Sequence, residues 1–91
     1  MADNYQIKLK VISQKGSCAA GHKVGDEWIL PPGKTPEGIC LPAFVSLYPN
    51  IRTLSFGGSF PWEADKDATT GCCADAANPV VFVIRRIKVK T

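Results

Sequence analysis

The chain has no apolar run near the length of a membrane span, no CxxC pair, no internal repeat and no compositionally distinct linker. It holds one histidine and one methionine in 91 residues. Each absence removes a class of protein. A bilayer-spanning helix needs roughly 20 consecutive apolar residues, so no membrane segment is expected. Met1-Ala2-Asp3-Asn4 is polar and no apolar stretch follows it, so a secretory signal is not expected and the cytoplasm is the expected compartment. The missing CxxC pair argues against the usual zinc ribbons and knuckles. Charge is also sparse, with charged residues at 21% and a net charge of +3. The basic residues gather near the two ends, as Lys8, Lys10 and Lys15, then Arg85, Arg86, Lys88 and Lys90. If the terminal segments pair as strands, these charges collect on one face of a sheet. That reads as a solvated face, because a nucleic-acid footprint is denser and interleaved with aromatics.

What is present is an ordinary globular composition, 45% apolar, in a chain too short for two cores. Residues 1–91 are therefore read as a single domain. Over residues 5–13, Tyr5, Ile7, Leu9 and Val11 alternate with Gln6, Lys8 and Lys10, the period of a half-buried strand. A compact loop follows at 16–25, then a short strand over 27–30, which Pro31-Pro32-Gly33 ends by withdrawing ladder donors. From Leu41 the period changes to three and four, through Phe44, Val45, Tyr48 and Ile51. Pro42 suits a first helical turn, whereas Pro49 disfavours helical geometry at Tyr48. The spacing predicts a helix over 42–48 and a second turn or short helix over 50–55, stopped by Gly57-Gly58. Residues 59–79 read as a second long loop, and 80–89 as a central strand with apolar residues on both faces. The sum is a small α+β domain whose N- and C-terminal strands pair, with one or two short helices packed on the sheet.

The chemistry concentrates in Gly16-Ser17-Cys18-Ala19-Ala20-Gly21-His22-Lys23-Val24-Gly25-Asp26-Glu27-Trp28. This stretch puts a cysteine, the histidine, several glycines and a carboxylate into one connection between apolar runs. Cys40 stands before the helix, and Cys72-Cys73 stand before the last strand. In a reducing compartment, four cysteines in 91 residues point to metal binding or catalysis before structural disulfides. Zinc takes four ligands at about 2.0–2.3 Å, and Cys18, His22, Cys40 and Cys73 supply a Cys3His set from loops at element ends. Iron, or an iron–sulfur cluster, fits the same donors. Vicinal cysteines rarely ligate one metal together, so Cys73 is taken as the ligand and Cys72 as pointing away. Inert packing is the competing reading for the cysteines, since free cysteine is often a buried small hydrophobe. For His22 it is a structural hydrogen bond.

Weaker candidates lie elsewhere. Glu63, Asp65 and Asp67 alternate like ligands of a hard cation, but no twelve-residue calcium loop surrounds them and a solvated turn is the better reading. Asp26 closes its own turn. Trp28 reads as a core or pocket wall, and Trp62, with Glu63 and Arg85, as a substrate or partner surface. Arg85 and Arg86 interrupt the last strand, and alternation turns one of them inward, where it would meet a carboxylate or hold an anion.

Taken together, Gly16-Ser17-Cys18, Gly21-His22-Lys23-Val24-Gly25-Asp26-Glu27-Trp28, Gly38-Ile39-Cys40, Leu47-Tyr48-Pro49, Gly57-Gly58, Pro61-Trp62-Glu63, Cys73 and Asn78-Pro79-Val80-Val81-Phe82 carry a resemblance. The chain resembles a family of short, single-domain, uncharacterised Cys-containing proteins found mainly in anaerobic bacteria and archaea. The resemblance covers nearly the whole chain. It implies that cysteines at the positions of Cys18, Cys40 and Cys73 belong to a pattern, that Cys72 is an addition, and that reduced thiols and iron–sulfur chemistry suit the setting. The expectation is a small metal- or iron–sulfur-binding accessory or redox protein that works with a protein partner or a second copy. The alternatives are a thiol-dependent enzyme with a Cys/His site and a metal-free interaction subunit.

Overall fold

A computed structural model describes residues 5–30 and 34–88. Four strands and one helix follow in the order β1 (Tyr5–Gln14), β2 (Glu27–Ile29), α1 (Leu41–Ser55), β3 (Ala68–Cys72) and β4 (Val80–Lys88). The strands form one antiparallel sheet in the order β2-β1-β4-β3, so the first and last strands pair at its centre. The domain is the α+β fold that the two periodicities predict. The expected stop at Pro31-Pro32-Gly33 and the extension of the last strand to Val89 lie outside the described residues, as does Lys90.

Alternation places Ile7, Leu9 and Val11 of β1 beside Phe82 and Ile84 of β4, all buried on one face. α1 packs on that face over β3, β1 and β4 and buries Ala43, Phe44, Leu47, Ile51 and Leu54 against it. Burying such side chains stabilises by about 1.5–3 kcal/mol each before conformational entropy is charged against it. Gly71 in β3 is what lets the helix come so close, because a Cβ there would collide with the Leu47 side chain. Among the described residues no helix is long and apolar enough to cross a membrane.

Two expectations change. The helix is one element, with Pro49 inside it. Proline withholds the amide that would bond the Val45 carbonyl, but both residues lie on the exposed side of α1, where water can satisfy that oxygen. Packing through Leu47, Ile51 and Leu54 carries the helix past the break. It then closes with Gly57 N–H donating to the Leu54 carbonyl at 3.1 Å and Gly58 N–H to Thr53 at 2.9 Å. The second change is β3, which lies within the expected long loop. Its sequence, Ala-Thr-Thr-Gly-Cys, has no apolar alternation and makes an edge strand held by the β4 ladder.

Arg86 is the inward-facing arginine, with a side chain 7% exposed, so it does not join Lys8, Lys10 and Arg85 on the solvated face. Its guanidinium donates to the carbonyls of Leu54 (3.1 Å), Gly58 (2.7 Å) and Lys66 (2.8 Å) and to Asp67 Oδ1 at 2.9 Å. It also lies over the Tyr5 ring, 4.7 Å from the centroid. One side chain thus ties the end of α1 and the 58–67 segment to the sheet. Replacing it, Arg86→Met, should cost about 2–4 kcal/mol in urea unfolding, because several partly buried carbonyls lose their donor. Asp67→Ala should cost less, since Asp67 is exposed and Arg86 keeps its carbonyl partners.

Candidate functional site

Cys18, His22, Cys40 and Cys73 line one cleft of about 180 Å³. Its other walls are mostly apolar, from Ala19, Ala20, Pro42, Ala43, Ala74 and Val80, with Asp75 and Asn78 at the polar side. Three chain segments distant in sequence bring these residues together, and each is held by a specific hydrogen bond.

The loop after β1 carries Cys18 and His22. Gly21 N–H donates to the Cys18 carbonyl at 2.9 Å, which folds the loop back on itself. Lys23 N–H donates to Asp26 Oδ2 and Asp26 N–H to the Lys23 carbonyl, both at 3.0 Å, so Asp26 closes its turn as expected. His22 is buried at 7% exposure, with its ring edge-on to Trp28 (4.9 Å) and Phe82 (6.4 Å). Trp28 is the core wall that the sequence suggests.

Cys40 is the N-cap residue of α1. Its backbone N–H donates to His22 Nε2 at 3.0 Å. This bond assigns the ring proton to Nδ1 and engages the Nε2 lone pair, so that nitrogen is neither a metal donor nor a base for a thiol while the bond stands. The positive end of the α1 dipole also faces the cleft, since Cys40, Pro42 and Ala43 lie at its first turn and no acidic residue is there.

Cys73 follows β3. Its amide donates to the Val80 carbonyl at 3.0 Å, and its sulfur accepts Val80 N–H at 3.3 Å. The loop from Cys73 to β4 is closed by Asp75, whose carboxylate accepts the amides of Ala77 (3.0 Å) and Asn78 (3.2 Å). The Asn78 side-chain amide and these backbone donors hold the Asp75 carboxyl below its ordinary range.

Asn78 is the site residue that sequence reasoning passes over, since Asn-Pro signals only a turn. Its Oδ1 accepts Ser17 N–H at 2.9 Å and so joins the Cys18 loop to the Cys73 loop. Gly16, at φ +69°, allows that approach, because a Cβ there would collide with Asn78 Oδ1. A glycine one residue before Ser-Cys was the available signal of a close contact.

The remaining candidates do not join the cleft. Cys72 is exposed, on the strand end. Glu63 accepts the Thr69 hydroxyl at 2.7 Å, Asp65 pairs with Arg85 at 3.0 Å, and Asp67 pairs with Arg86. The Asp67 amide and Arg85 hold the Asp65 carboxyl below its ordinary range. These acids close a turn, as the simpler reading has it, and both arginines are engaged rather than open to an anion. Trp62 is 69% exposed and packs at a tilt against Phe60, with ring centroids 5.0 Å apart. Among the described residues, no three His, Cys, Asp or Glu side chains stand close enough to hold a metal ion as placed. The cleft gathers the thiols without closing them on a point. Comparison with family models, with curated proteins and with solved structures found no match.

The bond from Cys40 to His22 can be separated from the packing of the ring. His22→Phe keeps an aromatic against Trp28 and Phe82 but leaves the Cys40 amide without its acceptor. It should cost about 1–3 kcal/mol and speed hydrogen exchange at Cys40 more than at core amides.

Proposed function

We propose that this domain is a small accessory or redox protein that holds zinc, iron or an iron–sulfur cluster through the thiolates of Cys18, Cys40 and Cys73. The observation that carries this reading is the meeting of the three thiols in one cleft from segments 22 and 33 residues apart. Thiolates are soft donors suited to zinc and iron–sulfur clusters. The α1 terminus offsets negative charge brought together there. His22 acts as a positioning residue, fixing Cys40 through its amide, and Asn78 fixes Cys18 against Cys73. A bound group would supply a structural clip or an electron-transfer centre; the chain's own part is to present half-buried thiols in one apolar-walled cleft. Three protein donors leave a coordination position for a further ligand.

The alternative of a thiol enzyme needs an imidazole facing a thiol as its base, and the engaged Nε2 favours the metal reading over it. An accessory role needs a protein partner. The exposed apolar side chains of Trp62, of Leu41 and Val45 on α1, and of Phe56 just after it, support that part of the reading.

Protein purified without oxygen should contain about one zinc or iron per chain, or iron with matching acid-labile sulfide and visible absorbance. Cys18→Ser should lose it, while Cys72→Ser should keep it. A metal-free, stably folded wild type, or full metal content in Cys18→Ser, contradicts the proposal.

A further inference from the structure

β3 is an outer strand of the sheet, and its register with β4 runs without a bulge from Ala68 opposite Arg85 to Cys72 opposite Val81. Just beyond its two ends, Arg86 N–H donates to the Asp67 carbonyl at 2.7 Å and Cys73 N–H to the Val80 carbonyl at 3.0 Å. In an antiparallel pair, residues that bond the neighbouring strand alternate with residues that do not. Asp67 and Cys73 therefore set the phase. Thr69 and Gly71 turn their amides and carbonyls to β4, and Ala68, Thr70 and Cys72 turn theirs to the free edge.

Two of these outward groups are already taken. Ala68 N–H donates to the Asp65 carbonyl at 3.4 Å, and the Cys72 carbonyl accepts Ser46 Oγ at 2.7 Å. The Ala68 carbonyl, both backbone groups of Thr70 and the Cys72 amide have no partner among the described residues. The strand also lacks the usual deterrents to edge pairing, since Ala-Thr-Thr-Gly-Cys holds no charge and no proline. The opposite edge has them: β2 is three residues long, carries Glu27 paired with Lys8, and leads in sequence to Pro31-Pro32.

The open groups of β3 are their own complement. With a second β3 laid antiparallel about a two-fold axis at Thr70, each Thr70 exchanges both bonds with the partner's Thr70. Each Cys72 amide then meets the partner's Ala68 carbonyl, and every open group is satisfied. The two groups this ladder leaves out are the ones Asp65 and Ser46 already hold. A register slipped by two residues either way sets a Thr70 group against one already taken. Ser46 also marks the side of α1 nearest this edge, and Pro42 and Asn50, a turn away on either side, are neither charged nor aromatic.

We propose that β3 pairs with β3 of a second copy about a two-fold axis at Thr70, joining the two sheets into one. Five residues a side make a small interface, so the dimer is weak and forms as concentration rises. It does not depend on what the cleft holds.

Sedimentation equilibrium and amide hydrogen exchange over a concentration series test this on the full chain. Wild type should pass from monomer to dimer, with exchange at the Thr70 and Cys72 amides slowing as it does. Thr70→Pro removes an outward N–H and none that β4 uses, so it should keep the far-UV spectrum while weakening the dimer at least tenfold. Ala68→Cys checks the register independently. Residues 68 and 72 of one strand stand roughly 13 Å apart, too far to bridge, whereas opposed residues across the new pair lie about 5.5 Å apart. Oxidised with copper phenanthroline, Ala68→Cys should give a covalent dimer bridged from position 68 to Cys72 of the partner subunit, and adding Cys72→Ser should abolish that bridge. A wild type that stays monomeric at millimolar concentration, a folded Thr70→Pro that dimerises as tightly as wild type, or Ala68→Cys without that bridge overturns the proposal.

Discussion

Antiparallel pairing of β1 with β4 governs where every other part of the site can stand. Gln14 faces Val80 across this pair, so the loop leaving β1 and the loop entering β4 emerge at the same end of the sheet. Lys15 N–H donates to the Pro79 carbonyl at 3.0 Å and extends the pairing into the loops themselves. Cys18 and Cys73, 55 residues apart in the chain, become neighbours as a consequence. The helix that crosses the sheet begins at the same end, which brings in Cys40. No local preference of the cysteine segments is needed to assemble the cleft; the central ladder does it.

Pairing alone would leave three loops free to move, and two polar side chains remove that freedom. Asn78 bonds the Cys18 loop to the Cys73 loop, and His22 bonds the same loop to the start of α1. The second bond is the more costly to lose, because His22 is buried between Trp28 and Phe82 and its partner amide has no intrahelical acceptor. The far end of the domain is organised differently. There Arg86 gathers carbonyls from α1 and the following turn, and the acidic residues of the 63–67 segment are spent on Arg85, Arg86 and Thr69. The ion pairs of Arg85 and Arg86 thus stand at one end and the cleft thiols at the other.

Much of this was legible in the residues. Tyr5, Ile7, Leu9 and Val11 announce a half-buried strand, and the apolar run from Val80 to Ile84 announces a central one. Their pairing follows because a small sheet must bury both. The choice of element ends for Cys18, Cys40 and Cys73 was legible too, since glycine, proline or asparagine stands near each of them, whereas Cys72, expected in the same loop, is the last residue of β3. Three things were not. β3 has no alternation to read, because an edge strand of Ala, Thr and Gly owes its form to its neighbour. Pro49 looked like a break because its tolerance depends on which side of the helix meets water. The parts played by Asn78 and by the His22 ring nitrogen are contacts across 61 and 18 residues, and sequence spacing carries no record of them.

The central claim is that three thiolates of one cleft form a metal site in which His22 stands behind a ligand. X-ray absorption at the metal edge, on protein purified without oxygen, addresses it most directly. The account predicts a zinc or iron centre with sulfur scatterers at about 2.3 Å and no imidazole in the coordination shell. A shell of nitrogen and oxygen donors alone, or a sulfur count unchanged by Cys18→Ser, would contradict it.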